Sequence, residues 1–292
     1  MNCINQEVRD QWALYNGDCV EVFAGLPTAS VDYSIFSPPF SSLYTYSNSP
    51  RDMGNCRSDG EFFEHFDHLI VELARVIKPG HNVSFHCMQL PTSKERDGYI
   101  GLKDFRGELI RAFQKHGFIY ASEVCIWKDP VTAMQRTKAL GLLHKTVRNN
   151  ATMSRQGIAD YLVTMRVPGE VVDRVTHDPE QYPISKWQDV ASPVWMDIDP
   201  GDTLQFRSAR EHDDERHICP LQLGVIRRGI DLWTKEGDVV ATPFAGIGSE
   251  LYVAVEMKRR AIGAELKASY FQQAVRNLDA LSAQGGLFEA VA

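Results

Sequence analysis

Short apolar runs alternate with amphipathic stretches along most of the chain. Residues 61–78 place Phe and Leu side chains at helical spacing and are followed by Pro79 and Gly80, the pattern of a helix with its stop signal. Strands are predicted at 31–36, 81–88, 118–127, 238–242 and 260–266, and helices at 61–78, 104–117, 220–234, 251–258 and 269–281, with a short helix ending near Gly25. This alternation predicts an α/β fold, a doubly wound sheet with helices on both faces, followed by flexible residues from 282 onward.

The strand at 31–36 runs into two consecutive prolines, Pro38 and Pro39. Each proline fixes φ and removes a backbone donor, so the strand must stop there in a rigid turn. Residues 41–60 are rich in Ser, Asn, Gly and Arg without periodicity, which predicts a long loop. Chemistry in α/β proteins is typically found on loops of this kind at strand ends.

A second strand, at 238–242, leads through Gly246 and Gly248 into a helix. Glu265 ends the next strand, seventeen residues after Gly248. Glycines let the backbone approach a ligand, and an acid at this spacing can accept both hydroxyls of a ribose, so nucleoside binding is predicted. Such a turn also arises where a helix only packs on a strand. Few glycines and no following Lys-Ser/Thr pair disfavour a phosphate-binding loop.

The α/β alternation is interrupted between residues 128 and 160. This stretch has six basic and two acidic side chains, whereas the whole chain has a formal charge of −7. Its cations alternate with Thr, Gln, Asn and His, a mixture that can contact phosphates and read base edges, although a solvated surface has the same pattern. We predict a recognition insert at 129–204 and an α/β domain formed by 1–128 and 205–292.

Composition limits the other classes of function. Six scattered cysteines without a CxxC pair favour reduced thiols, and the segment 211–219, with its His, Asp and Cys residues, matches no standard zinc spacing, so no metal is expected. No stretch has the length of an uncharged membrane span, and the first residues lack the pattern of a signal peptide. A cytoplasmic protein is the expectation.

Two motifs in this chain resemble those of the amino-group DNA methyltransferases that use S-adenosylmethionine. They are Ser37-Pro38-Pro39-Phe40 and Thr242-Pro243-Phe244-Ala245-Gly246-Ile247-Gly248. Their order, with the catalytic motif first and the cofactor motif last, is similar to the circularly permuted arrangement of the β group. The resemblance covers most of residues 14–280 except the central stretch, and implies a Rossmann-like sheet.

The resemblance also implies roles for individual residues. The implied catalytic residues are Ser37, Pro38, Pro39 and Phe40. The implied cofactor-binding residues are Asp18, Phe36, His217, Pro220, Thr242, Pro243, Phe244, Ala245, Gly246, Gly248, Ser249 and Glu265. The candidate DNA-binding residues are Tyr44, Tyr46, Arg136, Lys138, Lys145, Arg148, Asn149 and Arg155. Thr242 departs from the family, which commonly has an acid at that position.

The implied chemistry is methylation of an exocyclic amine on a flipped base. Hydrogen bonds from the amine to Ser37 Oγ and to the Pro38 carbonyl would favour a pyramidal nitrogen with a free lone pair, while Phe40 stacks on the base. Adenine N6 is the expected target in double-stranded DNA, cytosine N4 is the alternative, and a catalytically silent DNA-binding subunit is a more remote one. No Pro-Cys pair is present for methylation of cytosine C5. A homodimer without membrane contact is expected. The resemblance also implies a protein encoded by a bacterium or a phage and associated with the nucleoid.

Overall fold

The computed structural model describes residues 3–40, 51–137, 140–205 and 220–289. The strands are β1 (Asn5–Val8), β2 (Trp12–Asn16), β3 (Val31–Phe36), β4 (Ile77–Met88), β5 (Leu90–Pro91), β6 (Leu102–Lys103), β7 (Ile119–Ile126), β8 (Asp160–Arg166), β9 (Val194–Trp195), β10 (Val239–Thr242) and β11 (Arg260–Glu265). The helices are α1 (Cys19–Ala24), α2 (Asp59–Val76), α3 (Lys94–Asp97), α4 (Phe105–Lys115), α5 (Pro130–Thr137), α6 (His144–Asn149), α7 (Ile184–Ala191), α8 (Leu223–Trp233), α9 (Ser249–Glu256) and α10 (Ala268–Glu289).

Nine strands form one mixed sheet in the order β1-β2-β11-β10-β3-β4-β8-β7-β9. The five strands from β2 to β4 in this order are parallel to one another, whereas β1 runs antiparallel to β2, and β8 runs antiparallel to both β4 and β7. The carboxyl ends of β3, β4, β10 and β11 therefore lie at the same edge of the sheet. Ligand sites of doubly wound proteins occur at this edge.

Helices cover both faces of the sheet. The core on one face contains buried side chains of α1, α2 and α4, including Phe62, Phe66 and Phe113. The core on the other face is formed with α8, α9 and α10, including Ile226, Val253 and Leu278. Because both faces are covered, all six residues of β3 are buried, and the predicted α/β class with two helical layers is confirmed.

The range predicted as a separate insert, 129–204, contributes directly to the sheet. Strand β8 lies between β4 and β7, and β9 pairs with β7 at the sheet edge. Among the described residues of this range, α5, α6 and α7 lie outside the sheet. The predicted start of the insert, at 129, lies just after β7, whereas the predicted end at 204 takes in β8 and β9, which belong to the main sheet. The basic residues lie in the long connection between β7 and β8.

The chain end differs from its prediction as well. Helix α10 continues to Glu289, whereas flexible residues were predicted from 282. Gly285 and Gly286 suggested a break, but a helical glycine costs only about 1 kcal/mol relative to alanine and does not forbid a helix. In the described part of the chain, no helix is both long and apolar enough to cross a membrane.

Candidate active site

The two sequence motifs meet at the carboxyl edge of the sheet. Ser37 follows β3, and the glycine turn follows β10, which is the neighbour of β3 in the sheet. The rings of Phe36 and Phe244 join the motifs, with centroids 5.7 Å apart in an edge-to-face arrangement. Residues that are about 200 positions apart in the sequence are thereby held side by side.

The glycine turn requires its glycines for two different reasons. Gly248 has φ of +90°, and a Cβ at this position would lie 3.0 Å from Ala274 Cβ on α10. Gly246 has φ of +53°, but a Cβ there would meet no atom of the described residues within 4 Å. Gly248 therefore allows close packing of the turn on α10, whereas Gly246 lies beside open space that a ligand can enter. Asn277 Nδ2 fixes the turn from α10 by donating to the Ile247 carbonyl at 2.9 Å.

Glu265 lies at the end of β11 and contacts the glycine turn. Its Oε2 accepts a hydrogen bond from Gly246 N at 2.7 Å, and its Oε1 accepts one from Lys267 N at 2.8 Å. Burial raises the pKa of this carboxyl to about 7, although both backbone donors act to lower it. Since each carboxylate oxygen has two lone pairs, Glu265 retains acceptor capacity for a ribose.

The turn before α1 lies next to Glu265. Asn16 Nδ2 donates to the carbonyls of Glu265 and Leu266 at 2.8 and 3.0 Å, and Gly17 N donates to the Glu265 carbonyl. Asp18 caps α1, because its Oδ1 accepts from the N–H groups of Val20 and Glu21. The predicted acid therefore lies beside the predicted ribose acid, and its carboxylate also has a structural function.

Ser37 faces a histidine that sequence reasoning did not select. Ser37 Oγ lies 3.0 Å from His86 Nδ1, which belongs to the buried end of β4. His86 Nε2 in turn lies 3.1 Å from Asp160 Oδ2, an ion-pair contact whose angle is not that of a formed hydrogen bond. Register explains the first contact, because Phe36 pairs with Phe85 and the next residues of both strands are therefore neighbours.

Asp160 is the first residue of β8 and is 3% exposed. Lys128 Nζ lies 2.6 Å from Asp160 Oδ2, the oxygen that His86 also approaches. Burial acts to raise the pKa of Asp160, but the contacts with His86 and Lys128 outweigh burial and hold this pKa below its usual range. Asp160 is therefore ionised at neutral pH. A polar residue at the end of an apolar strand was the sequence signal for His86, but nothing in the sequence paired it with Asp160.

The rest of the Ser37 motif is held by the layer of α4. Pro38 is buried, while Pro39 and Phe40 are partly exposed. The Phe40 ring lies 6.3 Å from the ring of Phe105, the first residue of α4. This contact supports one side of the Phe40 ring and limits how far the ring can turn.

Two buried polar side chains lie at the end of β10 and in the helix that follows it. Thr242, where the family commonly has an acid, is 1% exposed, and its Oγ1 has no hydrogen-bond partner among the described residues. Glu250, in the first turn of α9, is 4% exposed. Burial raises the pKa of Glu250 to about 8, and the charge of Glu265 acts in the same direction. Sequence reasoning missed Glu250, since an acid in a first helical turn is ordinary.

The remaining predicted cofactor residues follow β10 or precede α8. Ala245 and Ser249 are buried within the turn and at the start of α9, and Ala245 N donates to the Ala264 carbonyl at 2.8 Å. Pro243 is buried between Thr242 and Phe244, and Pro220 lies partly buried just before α8. His217 falls outside the described residues.

The candidate DNA-binding residues are described in part. Lys145, Arg148 and Asn149 are exposed on α6, and neither cation has an acidic partner within 4 Å in the described ranges. Arg155 is partly exposed, and its backbone N–H donates to the Gly141 carbonyl. Tyr44, Tyr46 and Lys138 lie outside the described residues, as does the side chain of Arg136. The role of this group in DNA binding stays a prediction.

A polar surface groove of about 580 Å³ lies elsewhere on the molecule. It is lined in part by Thr234, Lys235 and Lys258, which precede the amino ends of β10 and β11. The predicted site residues are not among those that line it. Because ligands of doubly wound proteins bind at the carboxyl edge, the groove is not assigned to the cofactor.

Similarity to known proteins identifies the family of this chain. A family model for N6/N4 enzymes, described as DNA methylase, matches residues 31–276. The chain belongs to this family. The match includes both motifs and the connection between β7 and β8, so the family resemblance inferred from Ser37-Pro38-Pro39-Phe40 and the glycine turn is confirmed.

Three relatives illustrate the range of the family. The chain is 24% identical over 259 residues to the type II methyltransferase M.BglII of Bacillus subtilis, covering 88% of this chain and 66% of the relative. It is 27% identical over 274 residues to M.BamHI of Bacillus amyloliquefaciens, covering 92% and 58%. It is 23% identical over 279 residues to the DNA adenine methyltransferase YhdJ of Escherichia coli K12, covering 92% and 83%. The chain thus spans less than two thirds of the first two relatives.

Solved structures share the fold. A DNA modification methylase of Thermus thermophilus, TTHA0409, in complex with S-adenosyl-L-methionine has a TM-score of 0.68 at 24% identity, covering 92% of this chain and 93% of the other. The cytosine-N4-specific PvuII DNA methyltransferase has a TM-score of 0.68 at 16% identity, covering 94% and 90%. The Rossmann-like methyltransferase sheet predicted from the sequence is therefore confirmed.

Proposed function

We propose that this protein transfers a methyl group from S-adenosylmethionine to an exocyclic amino group of a flipped base in double-stranded DNA. The observation that carries the proposal is the position of Ser37 next to the glycine turn, through the 5.7 Å contact of Phe36 with Phe244. A group that accepts from an amine and a turn that admits a nucleoside thus share one edge of the sheet. Membership of the DNA methylase family supports the same reaction.

The residues around the glycine turn suit a bound nucleoside. Open space beside Gly246 leaves room for the ligand, and the free lone pairs of Glu265 can accept from ribose hydroxyls. Phe244 is partly exposed and offers an apolar edge. S-adenosylmethionine bound there would supply an electrophilic methyl group on sulfur.

Ser37 and Pro38 would orient the target amine. A base amine is a poor nucleophile because its lone pair is delocalised into the ring. Hydrogen bonds from its two N–H groups to Ser37 Oγ and to the Pro38 carbonyl favour a pyramidal nitrogen, which frees the lone pair for attack. Positioning of this kind, with Phe40 stacked on the base, supplies most of the catalysis we propose.

Adenine N6 is the first candidate target and cytosine N4 the second. The name of YhdJ as a DNA adenine methyltransferase favours adenine. The specificity of the PvuII enzyme for cytosine N4 favours the alternative, as does the serine at the head of the motif in this chain. Both amines donate the same two hydrogen bonds, so Ser37 and Pro38 discriminate weakly between them.

Duplex DNA is the proposed partner, with α6 as its contact surface. The free cations of α6 suit phosphate contacts, and its exposed Asn149 can read a base edge. If duplex DNA is the partner, the protein acts in the cytoplasm near the nucleoid. A homodimer stays a prediction that size-exclusion chromatography with light scattering can test.

The decisive experiment analyses the methylated product. The protein is incubated with unmethylated plasmid DNA and labelled S-adenosylmethionine, and the DNA is digested to nucleosides for mass spectrometry. N6-methyl-2′-deoxyadenosine or N4-methyl-2′-deoxycytidine that is lost in Ser37→Ala would support the proposal and identify the base. Binding of duplex DNA without methyl transfer would instead favour the catalytically silent DNA-binding subunit.

A further inference from the structure

We infer that His86 is the proton acceptor of the site: it orients the Ser37 hydroxyl and takes up, through it, the proton that the amine loses on methylation. This inference rests on the proposed function. Its geometric basis is a chain of polar atoms that runs from Ser37 Oγ to His86 Nδ1 over 3.0 Å and from His86 Nε2 to Asp160 Oδ2 over 3.1 Å.

The environment of His86 determines its tautomer. An ionised carboxylate can only accept hydrogen bonds, so the ring nitrogen that faces Asp160 carries the proton. Nδ1 of the neutral ring then has a free lone pair, and the Ser37 hydroxyl donates to it. The Ser37 oxygen is left with its lone pairs directed away from His86, which is the state that an amine N–H requires.

Asp160 and Lys128 determine the electrostatic environment of His86. Among the described residues, the charged group facing His86 is Asp160 on β8, and Lys128, after β7, contacts the same carboxylate at 2.6 Å. A protonated His86 beside an ionised Asp160 forms an ion pair, so the imidazolium is stabilised when it forms. Asp160 Oδ1 has no partner in the described ranges, which leaves this carboxylate able to adjust toward His86.

The proton transfer balances as follows. As the amine nitrogen forms its bond to the methyl carbon, the carbon–sulfur bond breaks and sulfur keeps the electron pair. The nitrogen then passes one proton to Ser37 Oγ, while the hydroxyl proton of Ser37 passes to His86 Nδ1. The amine, Ser37 and the thioether end neutral, and His86 ends as an imidazolium that later releases its proton to water.

His86 could instead have a purely structural role in this buried network. A structural role requires only the shape of the side chain, whereas a proton acceptor requires a basic nitrogen. Asparagine places an oxygen near the position of Nδ1 and can accept from Ser37, but it has no basic nitrogen. His86→Asn therefore retains the hydroxyl orientation and removes the proton acceptor.

The first measurement is the tautomer of His86 by long-range ¹H–¹⁵N NMR on the full-length protein without substrate. The inference expects a proton on Nε2 and none on Nδ1, and expects Asp160→Asn to reduce this preference. A proton on Nδ1 would mean that His86 donates to Ser37, which overturns the inference. This readout is independent of catalytic activity.

The second measurement is the single-turnover rate of methyl transfer as a function of pH. We expect the wild-type rate to fall on the acid side of the profile, and His86→Asn to lower the rate about 100-fold and to lose this limb of the profile. The rate of the double variant Ser37→Ala/His86→Asn should equal that of Ser37→Ala alone, because His86 acts through Ser37.

His81→Asn is the matched control, since His81 is also buried on β4 but its Nδ1 lies 2.9 Å from the Asp32 carbonyl. This control should keep the wild-type rate and profile. An unchanged rate and pH limb in His86→Asn, with an active wild type, would overturn the relay alone. An inactive wild type that folds and binds DNA would instead overturn the proposed function, and with it the proton transfer.

Discussion

The backbone N–H of Gly246 donates a 2.7 Å hydrogen bond to Glu265 Oε2, so the carboxyl group at the end of β11 holds the glycine turn at the end of β10. The same carboxyl group is the candidate for ribose binding. Burial raises its pKa to about 7, which brings a change of its charge into the neutral range. Cofactor affinity should therefore depend on pH near neutrality.

Only the ionised form of Glu265 can accept from both ribose hydroxyls and keep its two backbone donors. With a pKa of about 7 in the free protein, the group is mostly ionised at pH 8 and mostly protonated at pH 6. The Kd for S-adenosylmethionine should therefore rise about tenfold when the pH falls from 8 to 6. Isothermal titration calorimetry at three pH values would measure this change.

Glu265→Gln is the control for this pH effect, because the variant cannot ionise while titration of the ligand itself is common to both proteins. The variant should bind S-adenosylmethionine more weakly than the wild type at pH 8. It should also lose the part of the pH dependence of Kd that comes from the protein. Equal pH dependence in both proteins would contradict a role for Glu265 in ribose binding.

Gly248 and Gly246 should respond differently to alanine. Gly248→Ala should reduce the free energy of unfolding by about 1–3 kcal/mol, because φ of +90° and the contact with Ala274 both disfavour a Cβ. Gly246→Ala should cost about 1 kcal/mol for its positive φ but weaken cofactor binding, since its Cβ enters the open space. Urea unfolding and calorimetry separate the two effects. A Gly246→Ala protein with wild-type affinity would show that the ligand lies elsewhere.

The sequence predicted those parts of the fold that short-range patterns determine. The predicted strand at 31–36 matches β3, and the predicted helix at 61–78 matches α2 (Asp59–Val76), because apolar periodicity and the proline stops act locally. Rigid motifs such as Ser37-Pro38-Pro39-Phe40 were recognisable for the same reason. Their adjacency to the glycine turn depends on the pairing of β3 with β10, which no short-range pattern determines.

The pairing of strands that are distant in the sequence could not be predicted. β8 pairs with β4 from a sequence distance of over seventy residues, so nothing local marked residues 160–166 as part of the main sheet. The contact of Ser37 with His86 depends on the pairing of β3 with β4, and that of His86 with Asp160 on the pairing of β4 with β8. In the sequence His86 is an ordinary strand residue and Asp160 an acid of the basic stretch, and only the register of three strands brings them together.

Ionisation of Glu250 should lower the free energy of unfolding as the pH rises. Its pKa is about 4.5 when exposed and is raised to about 8 by burial in the folded state. The folded protein therefore holds the proton more tightly, and stability is highest below pH 4.5 and is lost as the pH rises toward 8. Glu250→Gln should stabilise the protein at pH 8.5 by at most about 5 kcal/mol, as measured by urea unfolding.

The comparison at low pH controls for the change of side chain. Near pH 4 the glutamic acid is neutral in both states, so Glu250→Gln and the wild type should have nearly equal free energies of unfolding. A variant that is less stable than the wild type at pH 8.5 would show that the carboxylate has a stabilising partner. Unfolding of both proteins is therefore measured at both pH values.

The cations of α6 should account for part of the salt dependence of DNA binding. If Lys145 and Arg148 each contact one phosphate, the slope of log K against log salt concentration should become less steep by about 0.9 for each alanine substitution. Fluorescence anisotropy with a labelled duplex between 50 and 200 mM salt measures the slope.

Lys258 is the matched control, since it is exposed, pairs with Glu236 at 3.3 Å and precedes the amino end of β11. Lys258→Ala should leave the slope unchanged, because this edge of the sheet faces away from Ser37. Equal slopes for Lys145→Ala, Arg148→Ala and the wild type would assign DNA contact to another surface.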